Sequence, residues 1–315
     1  MAASLVRVFV AGACALSGLR TGRAEASAGA SLLDPAWEAK GTWLGKNSVL
    51  LIRNFISKRE ALSLKSTAEK LFATQYGANW TDATYNLGFL KGGHVVKLVT
   101  QDVWALENRI ANLTGIPMNG PESRLQFTRQ RPGAMPPGEF VRNVHHDKNN
   151  RKRRSVTVIV YLTSARSNAD GGHTLFPTLP RPARGEGAAA DEEDDPVPHF
   201  RDTLEAAFRQ GYRSIADVSN PNGVQDARTF GMAQRECALA LEGRNRALAV
   251  RPRRGNALVL WHVRPDGSPN PLAWHAGCHA RGGAGRFAAQ KFKEPSEGEA
   301  FEDAPERGRR AGLEL

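Results

Sequence analysis

Ser155-Val156-Thr157-Val158-Ile159-Val160-Tyr161-Leu162 is an apolar run followed by the turn cluster Asp170-Gly171-Gly172. β-branched and aromatic side chains suit a pleated surface, and paired glycines give a chain the freedom to reverse, so the run reads as a strand leading into a turn. Working outward, short runs of the same kind recur at Leu125 to Thr128, Ala247 to Val250, Ala257 to Val263 and Arg286 to Lys293. Arg131-Pro132-Gly133 and Pro265-Asp266-Gly267 separate several of them. Further upstream the texture changes. Ser48 to Ile56 reads as a strand, and Ser57 opens a helix through Glu60, Leu62, Leu64 and Ala68 toward Leu71, with Ser57 and Glu60 at capping-box spacing. Asp102 to Leu113 places Val103, Leu106, Ile110 and Leu113 on one helical face, and Gly115-Ile116-Pro117 stops it. Helices first and many short strands afterward predict an α+β chain: a double-stranded β-helix, or jelly roll, buttressed by N-terminal helices.

The 315 residues, 41% of them hydrophobic, suffice for one sizeable core with decorations. The expected organisation is a signal peptide over 1–28, a helix-and-strand support over 29–123, the jelly roll over 124–294 and a disordered tail over 295–315. An insertion over 178–236 interrupts the jelly roll; it carries the acidic run Asp191 to Asp195, read as a solvated face, and one helix at Asp202 to Gln210. The leader rests on Arg7, the apolar run Val8 to Leu16, and the small-x-small sites Ala24-Glu25-Ala26 and Ala26-Ser27-Ala28. It points to the secretory pathway, endoplasmic reticulum or Golgi, with an organelle transit peptide as the competing reading because of Arg20 and Arg23. No stretch approaches the ~20 apolar residues of a membrane helix. The net charge of +11 speaks to partners rather than fold, and its arginines are spread along the chain without zinc-finger spacing or an RNA-binding signature, so no nucleic-acid partner is expected. Without the leader two cysteines remain, Cys237 and Cys278, which either pair or stay separate buried thiols. Asn79-Trp80-Thr81 and Asn112-Leu113-Thr114 are glycosylation sequons that agree with export. The sequence sets no oligomeric state.

Asn143-Val144-His145-His146-Asp147 carries the chemistry. Alternate residues of an extended chain share a face, so His145 and Asp147 converge while His146 points elsewhere. One imidazole and one carboxylate are two thirds of the facial triad that holds non-haem Fe(II) with positions left open. A His-x-Asp triplet alone is weak in a chain with eight histidines, and the surrounding order of motifs decides. Gly171-Gly172-His173-Thr174-Leu175-Phe176-Pro177 follows, then Arg251-Pro252-Arg253-Arg254-Gly255-Asn256-Ala257-Leu258, then Trp274-His275-Ala276-Gly277-Cys278. This order resembles the prolyl 4-hydroxylase family. The segments Glu107-Asn108-Arg109-Ile110-Ala111 and Thr114-Gly115-Ile116-Pro117 extend the likeness upstream, so that it covers roughly Ser48 to Lys293 apart from the insertion.

The resemblance implies iron, Fe(2+), on His145, Asp147 and His275, with 2-oxoglutarate and O₂ as cosubstrates and L-ascorbate rescuing over-oxidised metal. It implies prolyl residues of a proline-rich or collagen-like polypeptide as substrate. The family's oxoglutarate-binding lysine has no counterpart at its usual spacing; Arg286 in Ala284-Gly285-Arg286-Phe287 is the candidate, because a guanidinium grips a carboxylate with two parallel hydrogen bonds, and Lys291 is the fallback. Arg142 stands where the family has a tyrosine. Tyr76 to Gly93, with Trp80, Tyr85 and Phe89, reads as part of a substrate groove or as plain packing. Histidines 146, 173, 199, 262 and 279 read as surface or hydrogen-bonded core residues. Two alternatives stay open: the same chemistry on another side chain or small molecule, and a secreted binding module on a jelly roll that has lost its iron.

Overall fold

The structure, a computed structural model, describes residues 40–45, 48–76, 84–86, 101–118, 122, 125–133, 138–141, 144–149, 153–182, 195–210, 214–215, 223–224, 226–264 and 266–295. In chain order these form β1 (Gly41–Gly45), β2 (Val49–Ile52), α1 (Lys58–Tyr76), β3 (Thr84–Asn86), α2 (Gln101–Thr114), β4 (Gln126–Gln130), β5 (Val144–His145), β6 (Val156–Tyr161) and β7 (Thr174–Pro180). Then come α3 (Pro196–Arg209), β8 (Ser214–Ile215), β9 (Gly223–Val224), α4 (Ala227–Glu242), β10 (Ala247–Val250), β11 (Ala257–Trp261), β12 (Ala276–Gly277) and β13 (Arg286–Lys293). The expected leader and tail, the sequon at Asn79, Arg142, and Trp80 and Phe89 of the expected groove lie outside the described residues.

Among the described residues a seven-stranded antiparallel sheet runs β1-β2-β11-β6-β13-β4-β3, and a smaller sheet runs β10-β7-β12. The bridge between His145 and His275 joins β5 to the β12 end of the smaller sheet. From β4 onward the chain passes from the large sheet to the small-sheet side and back: β4 large, β5 beside the small sheet through that bridge and paired with β8, β6 large, β7 and β10 small, β11 large, β12 small, β13 large. That alternation is the winding of a double-stranded β-helix.

Strand parity sorts the apolar side chains into three layers. On β6, Val156, Val158 and Val160 face outward with Ala257, Val259 and Trp261 of β11 against Leu64, Phe72, Leu106 and Ile110 of the two N-terminal helices. Ile159 and Tyr161 face inward with Leu258 and Leu260, meeting Phe176, Leu248 and Val250 of the small sheet. A strand buried on both faces has no polar alternation, which is why the Ser155 to Leu162 run is almost wholly apolar. The outer layer starts at the capping box, where Ser57 N–H donates to Glu60 Oε2 at 2.8 Å and Glu60 N–H donates to Ser57 Oγ at 3.2 Å. Arg109 of α2 then donates to Phe55 O at 2.9 Å and pairs with Glu60 at 2.6 Å, locking α2 across the start of α1.

The 178–236 segment departs from its expected role as an insertion loop. Residues 178–180 complete β7, the helix begins earlier, at Pro196, and a second helix, α4, follows it. Asp195, the last residue of the acidic run, caps α3 by accepting from Val197 N–H at 3.0 Å. Phe200, Leu204, Ala207 and Phe208 form the buried stripe of α3, and with Ala233 and Cys237 of α4 they pack on Val144, Leu175, Trp274 and Ala276. The segment therefore buries the outer face of the small sheet, which would otherwise expose these apolar side chains to water. Alanine- and charge-rich composition hides this in the sequence, because the stripe is only a few residues wide. Glu236 fixes α4 to the start of β10 by accepting from Arg246 N–H and Ala247 N–H, each at 2.8 Å. A disulfide joins Cys237 to Cys278 across Cα atoms 5.5 Å apart, resolving the two readings of these cysteines in favour of pairing. No helix among the described residues is long and apolar enough to cross a membrane.

A peptide map made without reductant is expected to show Cys237 linked to Cys278. Replacing both by alanine should lower the unfolding free energy by ~4 kcal/mol, the loop-closure value for this separation in sequence. An unchanged denaturant midpoint would contradict the bond's role.

Candidate metal centre

β5 places His145 at its end, and the chain then enters a short 3₁₀ turn, Asp147–Asn149, whose first residue carries the carboxylate. His146 points the other way, as alternation requires, into a buried aromatic box with Phe208 at 4.8 Å and Trp274 at 5.8 Å between ring centroids; its Nε2 meets Asn270 O at 3.0 Å. His275 arrives from the far end of the chain. Reciprocal backbone hydrogen bonds, His145 N–H to His275 O and His275 N–H to His145 O, both 2.9 Å, pin the two residues side by side with ring centroids 4.4 Å apart. Ahead of His275, Asn270 caps the short turn Pro271–Ala273 through Leu272 N–H at 3.1 Å and donates to Trp261 O at 2.8 Å. The turn's last carbonyl, Ala273 O, lies 3.0 Å from His275 Nδ1, which fixes the proton there and leaves Nε2 with a free lone pair.

One ligand atom from each of His145, Asp147 and His275 lies within 4.8 Å of the others. His145 Nε2 is 3.6 Å from Asp147 Oδ1, and His275 Nε2 is 3.7 Å from Asp147 Oδ2. Burial, reinforced by His275 alongside, pushes the His145 pKa down to about 3, so its imidazole is neutral at physiological pH. Burial alone would raise Asp147, but His275 and His262 beside it hold its carboxyl well below the usual range. Two imidazoles and one carboxylate converging on a single point are the donor set of non-haem Fe(II). The His145 side chain is 25% exposed while Asp147 is 4% and His275 6%, so the centre opens on the His145 side.

Arg286 begins β13 on its inward face. Its Nη2 lies 3.4 Å from Thr174 Oγ1, and that hydroxyl meets Tyr161 Oη at 2.6 Å. Arg286 Nε is buried with no hydrogen-bond partner among the described residues. A Cβ on Gly277 would fall 2.9 Å from Arg286 Nη1, so a side chain there would push the guanidinium aside. Gly277 stands two residues beyond His275, ~7 Å along an extended chain, about the span of a five-carbon dicarboxylate. Lys291 is corrected. Five residues from Arg286 it has opposite parity, faces the helical layer, and is held by Glu107 and Glu122 at 3.0 Å each, so it cannot serve as a clamp at this site.

The other histidines separate. His173 is buried, its pKa pushed down to about 4 by burial and then by Arg251, and it is not part of the three-residue cluster. His199 meets Thr229 Oγ1 at 3.1 Å, and His279 Nδ1 meets the Gln130 side chain. His262 is a hydrogen-bonded core histidine, as its reading expects, and it lies beside the candidate ligand Asp147. Its Nε2 lies 2.7 Å from Thr157 Oγ1 and 3.3 Å from Asp147 Oδ2. Thr157, Tyr161 and His262 escape a motif search, yet parity marks all three: Thr157 and Tyr161 are the polar members of the inward face of β6, and His262 follows Leu258 and Leu260 on that of β11.

No family model matches the chain. Among curated proteins it is 26% identical over 179 residues to a probable prolyl 4-hydroxylase of Arabidopsis thaliana, covering 56% of this chain and 43% of that one. A second probable prolyl 4-hydroxylase of the same plant is 24% identical over 273 residues, covering 84% of this chain and 74% of the relative. The chain thus spans less than half the length of the first of these relatives and about three quarters of the second. A solved viral collagen prolyl hydroxylase from Paramecium Bursaria Chlorella virus-1, in complex with 2-oxoglutarate, superposes with a TM-score of 0.43 at 15% identity, covering 80% of this chain and 98% of the other. These curated relatives, with the ordered motifs from His145 to His275, make the chain similar to the prolyl 4-hydroxylases, iron- and 2-oxoglutarate-dependent dioxygenases.

Proposed function

We propose that this protein is an iron(II)- and 2-oxoglutarate-dependent dioxygenase that hydroxylates prolyl residues in polypeptides. The observation that carries the reading is the convergence of His145, Asp147 and His275 at a partly open point, with the buried guanidinium of Arg286 against Gly277, two residues beyond His275. The likeness to the plant relatives supports the same chemistry.

His145 and His275 would donate to the metal through Nε2 and Asp147 through its carboxylate. Bound there, iron supplies the oxidative chemistry that couples decarboxylation of 2-oxoglutarate to succinate with insertion of oxygen into a C–H bond. The chain does the rest. Arg286 offers two parallel N–H groups to the distal carboxylate, and the hydroxyls of Thr174 and Tyr161 stand where they complete its hydrogen bonds. Phe176, whose ring is 6.3 Å from that of His275, and the inner layer around Leu248 and Leu258 keep water from that side of the centre. A peptide reaches the centre from the exposed edge of His145, and ascorbate would restore the reduced metal. Residues 124–294 form the catalytic unit in this reading, with α3 and α4 as part of it. The Cys237 to Cys278 bond supports an oxidising compartment such as the endoplasmic reticulum lumen, in keeping with an export leader over residues 1–28.

Incubation of the purified protein with Fe(II), ascorbate, 2-oxoglutarate and proline-rich peptides should yield succinate and a peptide mass gain of one oxygen, and both should vanish in His145→Ala and His275→Ala. Succinate without peptide oxidation would remove the prolyl substrate, and neither product would refute the dioxygenase. Arg286→Ala is expected to raise the KM for 2-oxoglutarate on the order of 100-fold, since it deletes two charge-assisted hydrogen bonds, and Arg286→Lys should recover part of the loss. An unaltered KM in Arg286→Ala would place the carboxylate elsewhere.

A further inference from the structure

Asp147 is held from behind by a hydrogen-bonded chain that the ligand motif does not contain. The Thr157 hydroxyl donates to Asp147 Oδ2 at 2.7 Å. That hydroxyl has one proton, so the 2.7 Å contact with His262 Nε2 requires the imidazole to donate to Thr157 Oγ1. His262 Nε2 also lies 3.3 Å from Asp147 Oδ2, close enough for its N–H to lean toward the carboxylate as well. All three residues are buried: Thr157 and His262 have no exposed surface. Two strands of the large sheet supply the donors, Thr157 from the inward face of β6 and His262 from the residue after β11, while the carboxylate comes from the loop beyond β5.

We infer that Thr157 and His262 are positioning residues for metal binding: they occupy Asp147 Oδ2 and leave Oδ1, the oxygen facing His145 Nε2, as the carboxylate's ligand atom. The inference rests on the metal-centre reading given above and adds to it the origin of the carboxylate's orientation. A buried carboxylate with both oxygens free can rotate and take a metal through either or both of them. One with Oδ2 committed to two donors offers a single oxygen, which keeps a coordination position open for cosubstrates. Hydrogen bonds behind a ligand orient it and are typically worth about 10- to 100-fold in metal affinity.

The test is equilibrium binding of Co(II) to the metal-free, full-length protein, read by titration and by the visible absorption bands that report the number of ligand atoms. Thr157→Val keeps the shape and removes only the hydroxyl. It should weaken Co(II) binding by about 10- to 100-fold and change the band pattern, while Thr157→Ser should bind as the parent does. His262→Leu should weaken binding in the same direction, and His262→Gln, which retains an N–H donor, should recover part of it. Parent-like affinity and spectrum in both Thr157→Val and His262→Leu would overturn the inference. So would an equal loss in Thr157→Val and Thr157→Ser, which would mean that the site tolerates no change of shape and that the hydroxyl is not the reason. A parent protein that takes up no Co(II) would instead refute the metal centre itself, and this inference with it.

Discussion

The pair of backbone hydrogen bonds between His145 and His275 is the contact on which the site depends. Each residue sits in or beside a strand only two residues long, too short to be stable by itself, and a 3₁₀ turn close by in the chain holds each in place. Because the bridge is antiparallel and directly opposed, both side chains emerge on the same face of the small sheet. Asp147 reaches that face by alternation, two residues past His145. A shift of one residue in this pairing would send one imidazole to the outer face, among Phe208 and Trp274, where His146 now sits.

Two helical layers hold that register from opposite sides. Against the large sheet, α2 contributes Glu107, which with Glu122 surrounds Lys291 and Lys293 of β13 at 2.7 to 3.0 Å. Lys293 also donates to Pro117 O at 3.0 Å, so the charges sit among several partners rather than in one isolated pair. Buried charges tolerate little displacement, because moving one strands the others, and the network therefore fixes β13 along its length. Its other face carries Arg286. Against the small sheet, α3 and α4 perform the corresponding task through apolar burial, and the Cys237 to Cys278 bond ties α4 to the strand end three residues past His275.

Much of this is legible in the chain's own pattern. The β13 boundaries Arg286 to Lys293 coincide with the run expected from sequence, and α2 differs by one residue at each end, because strong periodicity and clear stops define both. Of the three candidate ligand positions, His145 and Asp147 are read from the His-x-Asp alternation and His275 from the family resemblance. Other features are hidden for physical reasons. β5 and β12 are too short to carry a periodic signal, and α3 and α4 reveal their apolar stripes only when the outer face of the small sheet is there to receive them. Lys291 and Arg286 look interchangeable in sequence, since both are cations of the β13 run; only parity separates one that faces the ion network from one that faces the inner layer. Thr157 and His262 belong to no motif. Their place comes from the register of two neighbouring strands, Thr157 opposite Leu260, which a single sequence does not print.

The central claim is that this winding gathers one metal ion and one dicarboxylate into the small sheet's inner face. The most direct measurement is an anomalous-difference map from crystals grown with Mn(II) and 2-oxoglutarate in the absence of oxygen. The account predicts one peak bounded by His145 Nε2, His275 Nε2 and a single oxygen of Asp147, with the far carboxylate of the cosubstrate on the Arg286 guanidinium. A peak elsewhere, or a cosubstrate whose far carboxylate lies away from Arg286, would contradict it.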